Sequence, residues 1–271
     1  MRPVILPRKD LDWEDEAEAA AKYFNILYYR PQVIQDNLVI ARFSAVPFYR
    51  EQALEYEYVG ARMINSYAEH LYIADLREWY ADLMEFTPKT WTQLHTIPDE
   101  GPFVLKGITN SKKFLWKTHM FAQNKQEAIQ VHSRLTQDSM IAYQDIVIRE
   151  YVPLHTYMTG LQGMPVTKEF RFFFYKGNLL SGGYYWSSHM YDLEDAGIKP
   201  DIVEVPLPWL MEIARIVAKK ATFFVLDVAQ TESGEWILIE VNDGQQSGLS
   251  ENDPDVLYRN LKKFLQEDGH V

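Results

Sequence analysis

A chain of 271 residues, 47% hydrophobic and 24% charged, can bury a large core in two or three small domains, which excludes disorder and a fibrous design. Its 27 Lys and Arg stand against 38 Asp and Glu, a formal charge of -11, so the surface as a whole repels nucleic acid and anionic membranes while leaving room for a local basic cleft. Cysteine is absent, which removes disulfides and thiolate chemistry and leaves oxygen and imidazole as ligands for any metal. The first residues contain no apolar stretch long enough for a signal peptide, and no later segment is long enough to span a bilayer, so a cytoplasmic location without membrane association is expected.

Residues 4–6 and 38–41 read as short buried strands, separated by an acidic, Ala-rich stretch over 12–22 that favours helix. This alternation predicts a small α/β layer. One long helix is expected over 68–86, with Leu71, Asp75, Trp79 and Leu83 spaced by fours and Pro88 stopping it, which places a domain boundary near Thr87 and Pro88. The next unit reads strand over 103–106, polar loop over 107–113, a helix opened by Asn124 with Glu127, and strand over 146–152. A compact module of that size is suited to move as a lid. In the last third, residues 169–175 and 179–186 form a hairpin through Lys176-Gly177-Asn178, with Gly182-Gly183 marking a bulge. Pro208 opens a helix, residues 222–230 and 236–242 form a second hairpin, and Asp253-Pro254 starts a closing helix.

The second hairpin carries the chemistry. A two-residue turn at Ser233-Gly234 sets Asp227 opposite Glu240 and Val225 opposite Asn242. Period-two alternation then gathers Asp227, Glu240 and Asn242 on one face and sends Leu226, Val228, Ile239 and Val241 to the core. Opposed carboxylates stand about 4.5 to 5.5 Å apart at Cβ and repel one another. A hard divalent cation compensates well, since two carboxylates and an amide oxygen suit Mg²⁺; a solvated strand end or a shared proton is the alternative. Replacing either acid by its amide is then expected to leave apo stability unchanged or slightly raised.

Arg171 shares the face of Glu169 and Phe173 in an aromatic strand, where a charge needs either Glu169 as partner or an anion. Lys106 ends an apolar run before a polar loop, a place where ammonium and backbone N–H groups meet phosphate, or else a plain surface charge. The seven histidines show no zinc spacing, and no Walker A, dinucleotide or Gly-x-Ser-x-Gly motif occurs.

The set Lys106, Glu150-Tyr151-Val152, Arg171, Asp227 and Glu240-Val241-Asn242 resembles the ATP-grasp superfamily, whose Mg²⁺ site pairs an acid on one strand with Glu-x-Asn on the next. Residues 59–66 and 86–90 resemble the stretch before the lid in its peptide-ligase-like members, such as the ribosomal-protein glutamate ligases. The resemblance implies an α/β (α+β) ATP-grasp fold with a pre-ATP-grasp α/β domain over 1–88, a lid subdomain over 89–152, and an antiparallel-sheet subdomain over 153–271. It implies ATP and Mg²⁺ as cofactors. Lys106 would contact the α/β-phosphates, the backbone of Glu150, Tyr151 and Val152 would read adenine, Glu169 would hold ribose, and Arg171 would meet the transferring phosphoryl group. Asp227, Glu240 and Asn242 would hold the metal. The lid loop has one glycine where relatives often carry several, so Ser111, Lys112 or Lys113 takes over phosphate contacts. Many relatives place a lysine near position 75, for which Arg77 is the nearest substitute, and Val225 stands where an arginine often precedes the first metal acid.

The implied activity is an ATP-dependent carboxylate-amine ligase that works through an acyl-phosphate, releases ADP and acts on a small molecule or peptide. An ATP-binding regulatory or adaptor protein with reduced turnover is the alternative. A carbohydrate-active protein built on paired acids would not need the Glu-x-Asn pattern. Arg42 and residues 49–58 are expected to contribute to the substrate pocket.

Overall fold

The computed structural model describes residues 1–7, 14–43 and 48–270. Strands β1 (Arg2–Pro7), β2 (Asn25–Ile26), β3 (Asn37–Arg42) and β4 (Arg62–Met63) form a parallel sheet in the order β2-β1-β3-β4, with α1 (Glu14–Ala21) and α2 (Tyr49–Tyr58) between successive strands. All of β3 is buried, as expected when a parallel sheet is covered on both faces. The first residues of the helix expected over 12–22 lie outside the described residues.

The single helix expected over 68–86 is two, α3 (Tyr67–Ala74) and α4 (Leu76–Leu83). Asp75 breaks it. Its backbone is extended, with φ -101° and ψ 114°, and its Oδ1 accepts the Arg77 N–H at 2.9 Å, because Asp caps a helix better than it continues one.

Strands β5 (Thr90–Trp91), β6 (Glu100–Gly107), β7 (Phe121–Asn124) and β8 (Ile146–Glu150) form an antiparallel sheet in the order β5-β8-β6-β7, packed on α5 (Lys125–Leu135). Phe103, Leu105, Ile146 and Ile148 face Ala128, Val131 and Leu135 of that helix. Asn124 caps α5 through the Glu127 N–H at 3.0 Å, while the Glu127 carboxylate returns to the N–H of Gln123, one residue before the expected capping box. The strand expected to run to 152 stops at Glu150.

A ribbon of β9 (Thr156–Thr159) and β10 (Pro165–Thr167) precedes β11 (Glu169–Tyr175), β12 (Asn178–Tyr184), α6 (Met190–Asp195), α7 (Leu207–Val217), β13 (Phe223–Gln230), β14 (Trp236–Asp243) and α8 (Pro254–Glu267). The antiparallel sheet β12-β11-β13-β14 is the centre of the molecule. One face, with Phe170, Phe172, Phe174, Phe224, Leu226 and Val228, belongs to the same core as Trp79 and Leu83 of α4 and Leu210 and Ile213 of α7. The other is divided. At one end Phe173, Tyr175, Phe223 and Val225 pack with Leu257, Tyr258 and Leu261 of α8; at the opposite end the same face carries Glu169, Arg171 and Asp227.

Two local readings are corrected. The extra residue in the first hairpin is Leu180, because Phe173 pairs with Ser181 and Phe174 with Leu179; the glycines Gly182 and Gly183 are not the bulge. Gly183 is required by a close approach, since a Cβ there would lie 2.2 Å from the Glu251 carbonyl carbon. In the second hairpin Asp227 does face Glu240 and Val225 does face Asn242, but the connection is longer than two residues. The Thr231 N–H donates to the Glu235 carbonyl at 2.8 Å, and Gly234 sits at φ 90°. Val228 then pairs with Leu238, so Ile239 is extruded and restores the expected register at Asp227. Extrusion also takes Ile239 out of the core and into the wall of a cleft.

Candidate functional site

Lys106 pairs with Val147 and Val104 with Arg149, so both cations project from one face of the β6–β8 ladder, opposite the face that packs on α5. That face looks at β14. Lys106 Nζ bonds Glu240 Oε1, and Arg149 donates from Nη1 to the Ile239 carbonyl at 2.7 Å and from Nη2 to Thr87 Oγ1 at 2.5 Å. Between the two sheets opens a cleft. Of the residues singled out in the sequence, Lys106, Ser111, Lys113, Glu150, Tyr151, Val152, Glu169 and Glu240 line it. Lys112 does not; it pairs with Asp138 at 2.9 Å.

The end of the cleft beyond β8 is apolar, walled by Trp116, whose ring centre lies 6.3 Å from that of Tyr151, with Met120 and Met164. Here the backbone follows a definite pattern. The Glu150 N–H donates to the Lys89 carbonyl at 2.8 Å and the Tyr151 N–H to the Pro102 carbonyl at 3.0 Å. The Val152 N–H and C=O make no hydrogen bond to any described residue. A slot with apolar walls and one free donor and acceptor on its edge suits a planar heterocycle.

The other end is charged. Burial raises the Glu169 carboxyl above its ordinary range, against the pull of Lys113 at 3.9 Å, and Glu169 Oε1 is buried without a hydrogen-bond partner. Burial lowers the Lys113 ammonium, but Glu169 and Tyr185 outweigh it and hold the group above the usual lysine value. Burial opposes ionisation of Glu240 too, yet Lys106, Lys113 and the Asn242 amide together bring it down to about 2. Burial pushes Arg149 down to about 10, and its Nε has no partner. The positive charge of Lys106, Lys113 and Arg149, with the unpaired Arg149 donor, thus suits an anion, while the unpaired Glu169 oxygen suits a hydroxyl donor.

Arg171, Asp227 and Asn242 stand beside this cleft and outside its wall. Arg171 donates to Asp227 from Nε and from Nη2, each at 2.8 Å, and from Nη1 to the Gly248 carbonyl at 2.9 Å. Asn242 Nδ2 donates to Asp227 Oδ2 at 3.2 Å. The partner of Arg171 is therefore Asp227, its cross-strand neighbour, and Glu169 faces Lys113 instead. The repulsion expected between Asp227 and Glu240 is relieved by Arg171 on one acid and Lys106 on the other. No three acidic or imidazole side chains cluster as a cation site among the described residues. The donor set of two carboxylates and one amide is still all oxygen and suits magnesium, provided incoming phosphates draw Arg171 and Lys106 away from the acids.

Two expected contributors are occupied elsewhere. Arg77 is held by Asp75 and Asp145 at 2.5 Å and does not line the cleft. Arg42 is buried, donating to Glu16 at 2.7 Å and to the Gly244 carbonyl, so it joins layers and does not line the cleft. Arg149 and Tyr185 were missed. Arg149 was legible as the one charge alternating with Val147 on a buried strand. Tyr185, whose ring centre lies 4.0 Å from Lys113 Nζ and 4.8 Å from Arg171 Cζ, sits in an aromatic run with no distinguishing pattern.

Residues 93–261 match the family model described as ATP-grasp domain, R2K clade family 3. The fold is similar to that of the D-cycloserine synthetase DcsG, with a TM-score of 0.61 at 11% identity over 97% of this chain and 99% of that one. It is also similar to a D-alanine–D-alanine ligase from Bacillus anthracis complexed with ATP, with a TM-score of 0.58 at 12% identity over 98% of both chains. For the ATP-grasp ligase PsnB complexed with minimal precursor, Mg and ADP, the TM-score is 0.57 at 10% identity over 97% and 98% of the chains. No curated protein matches the chain.

Proposed function

We propose that this chain, which belongs to the ATP-grasp R2K clade family 3, is an ATP-dependent carboxylate-amine ligase that holds its nucleotide between the β6–β8 and β11–β14 layers. The observation that carries this reading is the polarity of one cleft: unbonded Val152 backbone at the apolar end, and Lys106, Lys113 and Glu240 at the charged end. Adenine fits the first, with its edge on Val152. Ribose falls to Glu169, whose Oε1 lacks a partner, and the phosphates to Lys106, Lys113 and Ser111. Asp227, Glu240 and Asn242 would hold magnesium, which when bound neutralises charge on the β- and γ-oxygens.

Arg171 and Lys106 exchange partners as the nucleotide arrives, leaving the acids for phosphate oxygens. A substrate carboxylate oxygen then attacks the γ-phosphorus, ADP departs, and an acyl-phosphate remains. An amine attacks its carbonyl carbon, the C–O bond to phosphate breaks, and the amine proton passes to solvent. Positioned positive charge does most of the work. The lid loop after β6 keeps water from the mixed anhydride.

The test incubates the protein with ATP, Mg²⁺ and pools of carboxylates and amines and follows nucleotide products. Substrate-dependent ADP with free phosphate is expected; AMP throughout would contradict the acyl-phosphate route. A second reading, an ATP-binding regulatory or adaptor protein, is favoured by the engagement of Arg171 with Asp227. Calorimetry showing tight ATP binding with no ADP from any pool would select it.

A further inference from the structure

A second cavity opens past Asn242. It is walled by Thr109 and Asn110 of the loop after β6, Asn242 and Asp243 of β14, and Gln246 and Ser247 beyond it. Glu240 faces the cleft and Asn242 the cavity, roughly 7 Å further along the same strand face. A ligand there lies next to the charged end of the nucleotide site.

Its chemistry is unusual for a site serving a charged reaction. No lysine or arginine lines it. Asp243 is fully engaged, its Oδ1 accepting from Asn65 Nδ2 and the Gln245 N–H, each at 2.9 Å, and its Oδ2 meeting His70 Nδ1 at 2.9 Å. Thr109 spends its N–H and its hydroxyl on Gln144 Oε1, both at 3.0 Å, and the Ser247 hydroxyl donates to the Asp243 carbonyl at 2.9 Å. Three amides are left. The side-chain NH₂ of Gln246 is buried without a partner, the Asn242 side-chain oxygen accepts from no described residue, and the exposed Asn110 amide bonds none either. An unmade buried N–H costs about 1 to 3 kcal/mol, which an oxygen from a ligand recovers. A free carboxylate would find no counter-charge among the residues that line it.

We infer that this cavity is the acceptor site and takes a compact amino compound through an uncharged carbonyl, the carboxamide or peptide-bond end of an amino acid derivative, in preference to a free carboxylate. Gln246 and Asn110 bind the carbonyl, and the amine lies toward Asn242. This deepens the ligase reading and rests on it for the reaction, though not for the binding.

The test is saturation-transfer NMR on the full chain, with L-alaninamide and L-alanine as probes, in the presence and absence of Mg²⁺ and a nonhydrolysable ATP analogue. L-alaninamide should receive saturation and L-alanine little. Gln246→Leu should weaken L-alaninamide by about tenfold. Gln246→Glu, nearly isosteric but without the NH₂, should do the same and covers the case in which the leucine variant does not fold; the analogue's own signal reports folding. L-alanine binding as well as L-alaninamide, L-alaninamide indifferent to both substitutions, or no L-alaninamide signal while the analogue binds would each overturn the inference. L-alaninamide bound normally with no analogue signal would uphold the cavity assignment and sink the ATP reading instead.

Discussion

Asp227 is completely buried and bound by Arg171 through two hydrogen bonds of 2.8 Å, so its removal leaves a buried guanidinium without its counter-charge. Asp227→Asn should therefore lower apo stability by about 3 to 5 kcal/mol in urea denaturation, the reverse of what like-charge relief alone predicts. A neutral result would show that Gly248 and the Tyr185 ring suffice for Arg171. Glu240 gives a pH dependence with a definite sign. Its carboxyl is held at about 2 in the folded chain against 4.5 for the ordinary group, so its stabilisation is complete above the higher value. It is lost as pH falls from about 4.5 through about 2. Wild type should lose stability relative to Glu240→Gln across that window, with parallel curves above it, in denaturation at stepped pH. Both charge partners escaped a one-sequence reading because each is contributed by another strand: the hairpin shows that the two acids meet, but not which cations arrive from β11 and β6.

Among the elements, the β13–β14 hairpin came out right at the site through two compensating irregularities. A longer connection shifts the pairing by one, and the extruded Ile239 shifts it back. Alternation is strong enough to fix the acids at their positions, whereas a lone Ser-Gly says little about loop length. The expected 68–86 helix failed for a related reason, since spacing by fours continues across Asp75 even though its side chain caps a new helix. Strands β5 and β7 carry too few residues to show a period. Gly182-Gly183 was legible as special but not as to cause, because the atoms that exclude a Cβ at Gly183 belong to Glu251 and Asn252. Gly183→Ala should destabilise by about 1 to 3 kcal/mol, seen as a lower denaturation midpoint, whereas Gly248→Ala, whose Cβ would meet nothing within 4 Å, should change little.

At the scale of the molecule, the β5–β8 sheet, the β11–β14 sheet and the β9–β10 ribbon wall one charged cleft, and Lys106 to Glu240 is a bond between the two sheets. Nucleotide binding that replaces this bond with phosphate on Lys106 and, with the metal present, a cation on Glu240 should raise the melting temperature, and Mg²⁺ should enlarge the rise. At a hundredfold excess over Kd the stabilisation is about 2.7 kcal/mol. Equal shifts for ATP with Mg²⁺ and ATP with chelator, measured by scanning calorimetry, would remove the metal from the account. The order of the elements was readable because the α/β alternation, the strand–loop–helix–strand unit and the hairpins follow one another without interruption. The contacts between layers were not, since they join residues remote in sequence.

The parallel sheet is fastened to the end of β14 by a set of buried bonds: Asn65 to Asp243 and to the Phe223 backbone, Gln245 to Tyr49 and to the Ala41 N–H, and Arg42 to Gly244. Parting them would strand several polar groups at about 1 to 3 kcal/mol each, so the parallel sheet is held firmly to β14. On the ligase reading proposed above, the distance from the parallel layer to the charged end of the cleft would be set before any ligand enters. It would then act as a fixed gauge, admitting or refusing an incoming molecule by length rather than by yielding to it.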